Sequence, residues 1–167
     1  SVAASPAGVS PRPVTVRGEL ASDEKSTISL FERTRDSVVF ISTSAVVQDF
    51  WSRNVMSVPR GTGSGFIWDD AGHVVTNYHV IEQASESWVQ IGDEQLFAAT
   101  LLAGDPWNDL ALLKIEPTHP LQAATFAADD DLLLGETVVA LGNPFGFSQT
   151  VTVGVLSGIN REARYNN

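Results

Sequence analysis

Residues 61–81 read GTGSGFIWDDAGHVVTNYHVI, and this stretch decides the fold. It contains two short runs rich in β-branched and aromatic residues, TGSGFIWD and HVVTN. A D-D-A-G turn signal lies between the two runs, and this spacing is typical of antiparallel strands. The stretch therefore predicts antiparallel β-structure with a tight turn at 69–72.

Similar runs of β-branched and aromatic residues lie on both sides of this stretch. Further runs of this kind are VVFISTSAVV, SWVQIG, LFAATLLAG and DLALLKI, which brings the total to six predicted strands between Val38 and Ile115. Six short antiparallel strands can close into a small barrel, and closure removes exposed sheet edges. We therefore expect an all-β fold built on one closed barrel.

Composition divides the chain into five segments. Before the barrel we expect an extended or mobile arm without periodicity, followed by a short helix with Ser22 as its N-cap. After the barrel, a looser stretch with two prolines and an acidic run predicts a linker. Two more strands, ETVVALGN and TVTVGVLSGIN, cannot bury both faces and both edges by themselves, so we expect an incomplete second unit. The predicted segments are the arm at 1–20, the helix at 21–35, the first β-barrel at 36–116, the linker at 117–134 and the incomplete second β-barrel at 135–167.

Charge is distributed unevenly along the chain. The 167 residues carry a formal net charge of −10, and between Gly61 and Asn160 thirteen acidic residues accompany one basic residue, Lys114. Such a surface repels phosphate groups, so we expect no nucleic-acid partner and no membrane-surface role. It serves solubility or, as the alternative, a preference for basic substrates. No apolar run approaches the roughly 20 residues of a membrane-spanning helix, so we expect no membrane insertion.

Cysteine is absent, which excludes disulfides, thiolate metal sites and a cysteine nucleophile. The opening residues also lack the apolar core of a signal peptide. The candidates for chemistry are therefore histidines, carboxylates and serines.

The three histidines differ in their surroundings. His119 lies in T-H-P within the predicted linker, where a surface role is expected. His73 opens a strand after the turn, where packing or hydrogen bonding is expected. His79 follows the apolar strand at the point where it gives way to a tight turn, and a side chain at the rim of a barrel can be rigidly held and still reach solvent. His79 is the candidate general base, with a structural role as the alternative.

Asp109 strengthens this candidate. It precedes a strongly apolar strand in GDPWNDLALLKI, and a carboxylate at such a place is costly unless it is paired. Pairing with a ring N–H of His79 would satisfy the carboxylate and orient the imidazole. The alternative is that Asp105 or Asp109 caps a turn. No two histidines stand at i, i+3 or i+4, so we expect no metal site.

Three ordered segments carry a family resemblance: GTGSGFIWDDAGHVVTNYHVIEQASE, GDPWNDLALLKI and GETVVALGNPFGFSQTVTVGVLSGINRE. From about Val38 to Glu162 the chain resembles the HtrA/Deg family of trypsin-like serine proteases. The resemblance implies that His79, in T-N-Y-H-V, is the general base and that Asp109, in N-D-L-A-L-L, is its orienting partner. It also implies a chymotrypsin-like double β-barrel, of which this chain contains the first barrel and one hairpin of the second.

The nucleophilic serine implied by the resemblance lies in a G-N-S-G-G motif, which these 167 residues do not contain. Ser64 is not a substitute, because its segment is a strand that precedes the histidine and Thr62 breaks the G-x-S-x-G pattern. Ser148 and Ser157 lie in the second-unit hairpin without a glycine-rich loop to supply oxyanion-hole donors. We therefore expect this chain alone to be inactive.

The resemblance further implies a serine endopeptidase of unfolded polypeptides that needs no cofactor and forms a homotrimer in the intact parent. It favours the bacterial periplasm, with the thylakoid lumen as the alternative. Two other hypotheses remain: a truncated pseudoenzyme that acts as a protein-binding β-barrel module, and an unrelated acidic barrel for a small ligand. Phe50 and Trp51 are candidate trimer contacts or substrate-sensing residues, or else simply pack.

Overall fold

The computed structural model describes residues 18–48, 55–92, 95–128, 130–142 and 150–159. Two α-helices, one 3₁₀ turn and eight strands make up this part of the chain. In chain order they are α1 (Ser22–Thr34), a 3₁₀ turn (Arg35–Ser37), β1 (Val38–Gln48), β2 (Val55–Ile67), β3 (His73–Thr76), α2 (Tyr78–Ile81), β4 (Glu86–Ile91), β5 (Gln95–Asp105), β6 (Leu110–Lys114), β7 (Thr137–Gly142) and β8 (Thr150–Val155).

The first six strands form a closed barrel in the order β1-β2-β3-β6-β5-β4. Every neighbouring pair is antiparallel, and β4 closes the barrel by pairing with β1. The prediction of an all-β fold, with one closed barrel preceded by a short helix and followed by a hairpin, is confirmed. The 69–72 turn lies between β2 and β3, where the sequence predicted it.

Alternating residues of the strands fill the barrel. β3 and β6 each alternate between partly exposed and buried positions, as expected where successive side chains point to opposite faces of a sheet. In the described part of the chain, the largest fully buried side chains are all β-branched or leucine, which suit the narrow interior of a small barrel. They are Val39, Ile41, Ile67, Val74, Val89, Leu113 and Ile115.

Helix α1 begins one residue earlier than an N-cap at Ser22 would place it. The N-cap is Ala21, and Glu24 compensates for the missing capping side chain because its Oε2 accepts a hydrogen bond from the backbone N–H of Ala21 at 2.8 Å. The prediction of Ser22 as the N-cap was therefore wrong, since Ser22 is the first helical residue. No residue of α1 is buried, and Ile28 and Leu30 on its apolar face stay partly exposed.

The segment that follows the barrel packs against it. The backbone N–H of Ala124 donates to the carbonyl of Ile67 at 2.9 Å, and Leu121 packs against the core. The ring of Phe126 lies 5.7 Å from that of Phe66 and 4.8 Å from that of Trp68. The described residues of the stretch predicted as a linker therefore cover one side of the barrel without forming a strand.

Strands β7 and β8 form a separate two-stranded antiparallel sheet. Their register pairs Val139 with Val153, and Gly135 and Leu156 extend the hairpin through a backbone hydrogen bond of 2.9 Å. Apolar side chains of both strands, including Val153, remain exposed. In the described residues no helix is long and apolar enough to cross a membrane. The boundaries predicted for the five segments stay predictions.

Candidate active site

Helix α2 carries His79 on the rim of the barrel. This helix is four residues long and follows β3 after Asn77, where the sequence indicated only a tight turn. Val80 and Ile81 are buried and fix α2 to the barrel, whereas the side chain of His79 is 67% exposed. The histidine therefore stands on a rigid support and faces solvent.

The G-T-G-S-G stretch of β2 makes room for this helix. A Cβ placed on Gly63 would lie 2.5 Å from Cγ2 of Val80, closer than real Cβ contacts come. The hydroxyl of Thr43 donates to the carbonyl of Val80 at 3.4 Å and to that of Gly61 at 3.2 Å, which ties β1, β2 and α2 together. The glycine at position 63 therefore allows α2 to lie directly on β2.

His79 and Asp109 form a close pair. Nδ1 of His79 lies 2.7 Å from Oδ2 of Asp109, and the backbone N–H of His79 donates to Oδ1 at 2.9 Å. One carboxylate oxygen therefore holds the main chain of the histidine and the other holds its ring. The structure brings together the two residues that the sequence proposed as base and orienting partner.

The backbone of Asp109 adopts an unusual conformation. Its φ is 54°, in the left-handed region that residues other than glycine rarely occupy. In this conformation its carbonyl oxygen accepts a hydrogen bond from the backbone N–H of Tyr78 at 3.1 Å. Such strained residues are concentrated at functional sites. In this conformation both the carbonyl and the carboxylate of Asp109 face the start of α2.

These donors favour the ionised form of Asp109. The backbone N–H of His79, and next its ring, hold the pKa of the Asp109 carboxyl below its ordinary value, with partial burial opposing them. An ionised carboxylate accepts hydrogen bonds and donates none, so Nδ1 of a neutral His79 carries the proton. Nε2 is then the unprotonated nitrogen, and it makes no hydrogen bond within the described residues. The arrangement presents a proton acceptor to solvent.

Asp105 has the turn-capping role that was the alternative for Asp109. Its Oδ1 accepts hydrogen bonds from the backbone N–H groups of Trp107 at 3.0 Å and Asn108 at 3.1 Å, and its Oδ2 accepts one from Nδ2 of Asn108 at 2.6 Å. These bonds close the turn between β5 and β6 and lower the pKa of the Asp105 carboxyl. The two carboxylates of this loop therefore have separate tasks.

His73 belongs to a second histidine–carboxylate pair at the opposite end of β3. Its Nδ1 lies 2.7 Å from Oδ2 of Asp69, while Oδ1 of Asp69 accepts the backbone N–H groups of Ala71 and His73, each at 3.1 Å. The side chain of His73 is 31% exposed, against 67% for His79. The pair closes the turn between β2 and β3, in keeping with the hydrogen-bonding role expected of His73.

His119 lies on the surface. Its Nδ1 lies 3.0 Å from the carbonyl oxygen of Pro120, its Nε2 contacts Oε1 of Gln95, and its ring meets the edge of Phe97. Both ring nitrogens are therefore occupied by local partners. No group of three or more metal-ligating side chains occurs in the described part of the chain.

The three serines considered as nucleophiles are Ser64, Ser148 and Ser157, and none adjoins another in the sequence. Ser64 lies inside β2 opposite Phe40, and its carbonyl oxygen accepts a hydrogen bond from Oγ1 of Thr76 at 2.8 Å. Ser157 follows β8 and is exposed. Ser148 lies outside the described residues, as do Phe50 and Trp51.

The sequence interpretation missed two residues that lie next to the pair. Asn77 donates from Nδ2 to the carbonyl oxygen of Asp109 at 3.2 Å and to its Oδ2 at 3.3 Å. The ring of Tyr78 lies over Gly104, where an added Cβ would stand 2.8 Å from Cε2 of the ring. Both precede His79 in T-N-Y-H-V, so the motif contained them, but their partners are distant in sequence.

Known proteins are similar to large parts of this chain. Residues 63–167 match the trypsin-like peptidase domain family. The chain is similar to Protease Do-like 1, chloroplastic, of Arabidopsis thaliana, with 44% identity over 150 residues that cover 89% of this chain and 34% of that protein. It is also similar to Periplasmic serine endoprotease DegP of Escherichia coli (strain K12), with 44% identity over 100 residues that cover 59% of this chain and 21% of that one.

A solved structure has the same fold. The crystal structure of Deg5 matches with a TM-score of 0.72 and 35% sequence identity, over 87% of this chain and 69% of the other. The chain spans 34%, 36% and 47% of the lengths of three chloroplastic Do-like proteases of Arabidopsis thaliana. It therefore corresponds to part of a protease domain.

Proposed function

The chain belongs to the HtrA/Deg family of trypsin-like serine proteases, and on this premise we propose that it supplies the general base and its orienting carboxylate to a serine endopeptidase. In this proposal His79 is the base and Asp109 is its partner. The observation that carries it is the double contact between them, in which Oδ1 holds the backbone N–H and Oδ2 holds Nδ1.

The geometry supports a specific division of labour. With its proton on Nδ1, His79 accepts at Nε2 the proton that leaves a serine hydroxyl as the hydroxyl oxygen attacks a peptide carbonyl. The imidazolium then returns this proton to the leaving amine as the carbon–nitrogen bond breaks. Asp109 stays ionised throughout and stabilises the positive ring, a role that its lowered pKa favours.

The finer assignments rest on the family. We propose unfolded polypeptides as substrates, a homotrimer as the state of the intact parent, and no cofactor. Relatives named as chloroplastic and as periplasmic support a compartment outside the cytosol. We propose the bacterial periplasm, with the thylakoid lumen as the alternative, and fractionation of the cells that make the protein distinguishes these compartments.

A fluorophosphonate probe, which reacts with activated serines, tests the proposal. We expect no labelling of the 167-residue polypeptide, because it contains no G-N-S-G-G motif. A polypeptide extended through an in-frame G-N-S-G-G segment, called the parent below, is expected to be labelled at that serine and to hydrolyse a denatured protein. In the parent, His79→Ala should abolish both reactions, whereas His73→Ala serves as the matched control and should keep them.

Three results would contradict the proposal. Labelling of Ser64 would mean that the nucleophile lies in a strand of the barrel. Full labelling of the His79→Ala parent would mean that His79 is not the general base. A reading frame without G-N-S-G-G would favour the alternative of a protein-binding β-barrel module.

A further inference from the structure

Asn77 stands at the N-cap of α2 but does not cap it. Asparagine is a preferred N-cap residue because its side chain usually accepts a hydrogen bond from a backbone N–H of the first turn. Here the side chain makes no such bond, although the backbone has the extended conformation of an N-cap, with φ −78° and ψ 144°. The carboxamide is therefore available for another partner.

That partner is Asp109, which the carboxamide contacts twice. Nδ2 of Asn77 lies 3.2 Å from the carbonyl oxygen of Asp109 and 3.3 Å from its Oδ2. An amide group has two N–H donors, so it can bridge the main chain and the side chain of one residue. This bridge restrains the carboxylate of Asp109 relative to its own backbone.

The restraint acts on the oxygen that orients the histidine. Oδ1 of Asp109 receives the backbone N–H of His79, whereas Oδ2 receives Nδ1 of His79 and Nδ2 of Asn77. The side chain of Asp109 is 44% exposed, so water competes for its oxygens. A second protein donor on Oδ2 limits the rotation that would carry this oxygen away from the ring.

We propose that Asn77 is a positioning residue that keeps His79 in the tautomer with the proton on Nδ1, by bridging the carbonyl oxygen and Oδ2 of Asp109. The proposal rests on the assignment of His79 as the base. The bridge also opposes relaxation of the left-handed backbone of Asp109, because the restrained carbonyl oxygen belongs to the residue with φ 54°.

Nitrogen-15 NMR of the histidine rings in the 167-residue chain tests this proposal without any proteolysis. The shifts of Nδ1 and Nε2 report which nitrogen carries the proton of a neutral ring, and His73→Ala and His119→Ala identify the His79 signals by elimination. In the unsubstituted chain we expect His79 to be protonated on Nδ1. In Asn77→Ala we expect the ratio of the Nδ1–H to the Nε2–H form to fall by on the order of tenfold, the factor expected for one lost hydrogen bond.

Two further variants separate positioning from general stability. Asn108→Ala is the matched control, because Asn108 is the same residue type, adjoins Asp109 and donates from Nδ2 to Asp105 at 2.6 Å. It should leave the tautomer of His79 unchanged. Asn77→Asp keeps the size of the side chain but replaces its donors with a carboxylate that repels Asp109, so it should change the tautomer at least as much as Asn77→Ala. Thermal unfolding of each variant confirms that it is folded.

The outcomes distinguish this inference from the proposed function. If His79 is protonated on Nδ1 in the unsubstituted chain and remains so in both Asn77 variants, the role of Asn77 is overturned and the proposed function stands. If His79 of the unsubstituted chain carries its proton on Nε2, the role of Asp109 as orienting partner fails, and the inference fails with it. A change of tautomer in Asn108→Ala equal to that in Asn77→Ala would also overturn the positioning role.

Discussion

Val80 occupies the space that a side chain at Gly63 would need. A Cβ on Gly63 would lie 2.5 Å from Cγ2 and 2.9 Å from Cγ1 of Val80. Val80 is 8% exposed and follows His79 directly, so it cannot move outward without moving the histidine. A side chain at position 63, even a methyl group, would therefore affect the position of the proposed base, His79.

Gly63→Ala should lower the free energy of unfolding of the 167-residue chain by about 1–3 kcal/mol, the usual cost of overpacking a core. Urea unfolding measures this change, and Gly154→Ala is the control because a Cβ there meets only Val138, at an ordinary 3.9 Å. The double variant Gly63→Ala/Val80→Ala should lose less than the sum of its single changes, since the smaller side chain restores space. Equal losses for Gly63→Ala and Gly154→Ala would show that α2 does not press on β2.

His79→Ala in the parent should lower kcat/KM on a denatured protein by on the order of 10⁴ or more, because a serine hydroxyl is a weak nucleophile without an adjacent base. His73→Ala should stay within about tenfold, since a substitution away from the site acts through stability alone. Both histidines have a carboxylate oxygen 2.7 Å from Nδ1. The two variants therefore remove chemically similar histidine–carboxylate pairs that differ in their place in the fold. Equal losses at equal thermal stability would mean that the wrong histidine was chosen.

Asp109→Asn in the parent should keep the fold but lower kcat by on the order of 10⁴, a magnitude taken from the chymotrypsin-type triad. The amide nitrogen would face Nδ1 of His79 and force that nitrogen to become the acceptor, which leaves the proton on Nε2. The double variant His79→Ala/Asp109→Asn should be scarcely worse than His79→Ala alone, because the two residues act as one unit. Steady-state kinetics on one substrate checks both statements, and additive losses would argue against a shared role.

Local sequence patterns predicted the strands well. Short β-branched runs separated by turn residues predict a strand wherever they occur, and HVVT at 73–76 needs no distant information to be recognised. The separation of 30 residues between His79 and Asp109 also left room for the strands that bring them together. The family resemblance is confirmed by the trypsin-like peptidase match over residues 63–167 together with the similarity to Do-like proteases, DegP and Deg5.

Contacts between distant segments could not be predicted in the same way. Asn77 looks like an ordinary N-cap in the sequence, and only the fold places Asp109 beside its carboxamide. From the sequence, Gly63 is only an unfavourable residue inside a strand, and its reason is the close approach of α2, which the fold alone reveals. Likewise, the stretch after the barrel has a linker composition, and its Phe126 packs against the half-buried ring of Phe66 and the exposed ring of Trp68 on the barrel.

The pair of Asp69 and His73 makes stability depend on pH. The His73 ring, acting against partial burial, holds the pKa of the Asp69 carboxyl below its ordinary value of 3.8. A carboxyl whose pKa is lower in the folded than in the unfolded chain stabilises the fold. This stabilisation is complete at pH values above the pKa that the group has in the unfolded chain. This contribution is lost as pH falls through the folded pKa.

Asp69→Asn should therefore destabilise the 167-residue chain at about pH 6, and its difference from the unsubstituted chain should shrink as pH falls below about 4. Urea unfolding across this range measures the difference, and Asp70→Asn is the matched control because Asp70 is the next residue and is exposed. The asparagine oxygen can still accept the backbone N–H groups of Ala71 and His73, so the change chiefly removes the charge beside the ring. A pH-independent difference, or one that Asp70→Asn reproduces, would show that the carboxylate serves the turn only as a neutral hydrogen-bond acceptor.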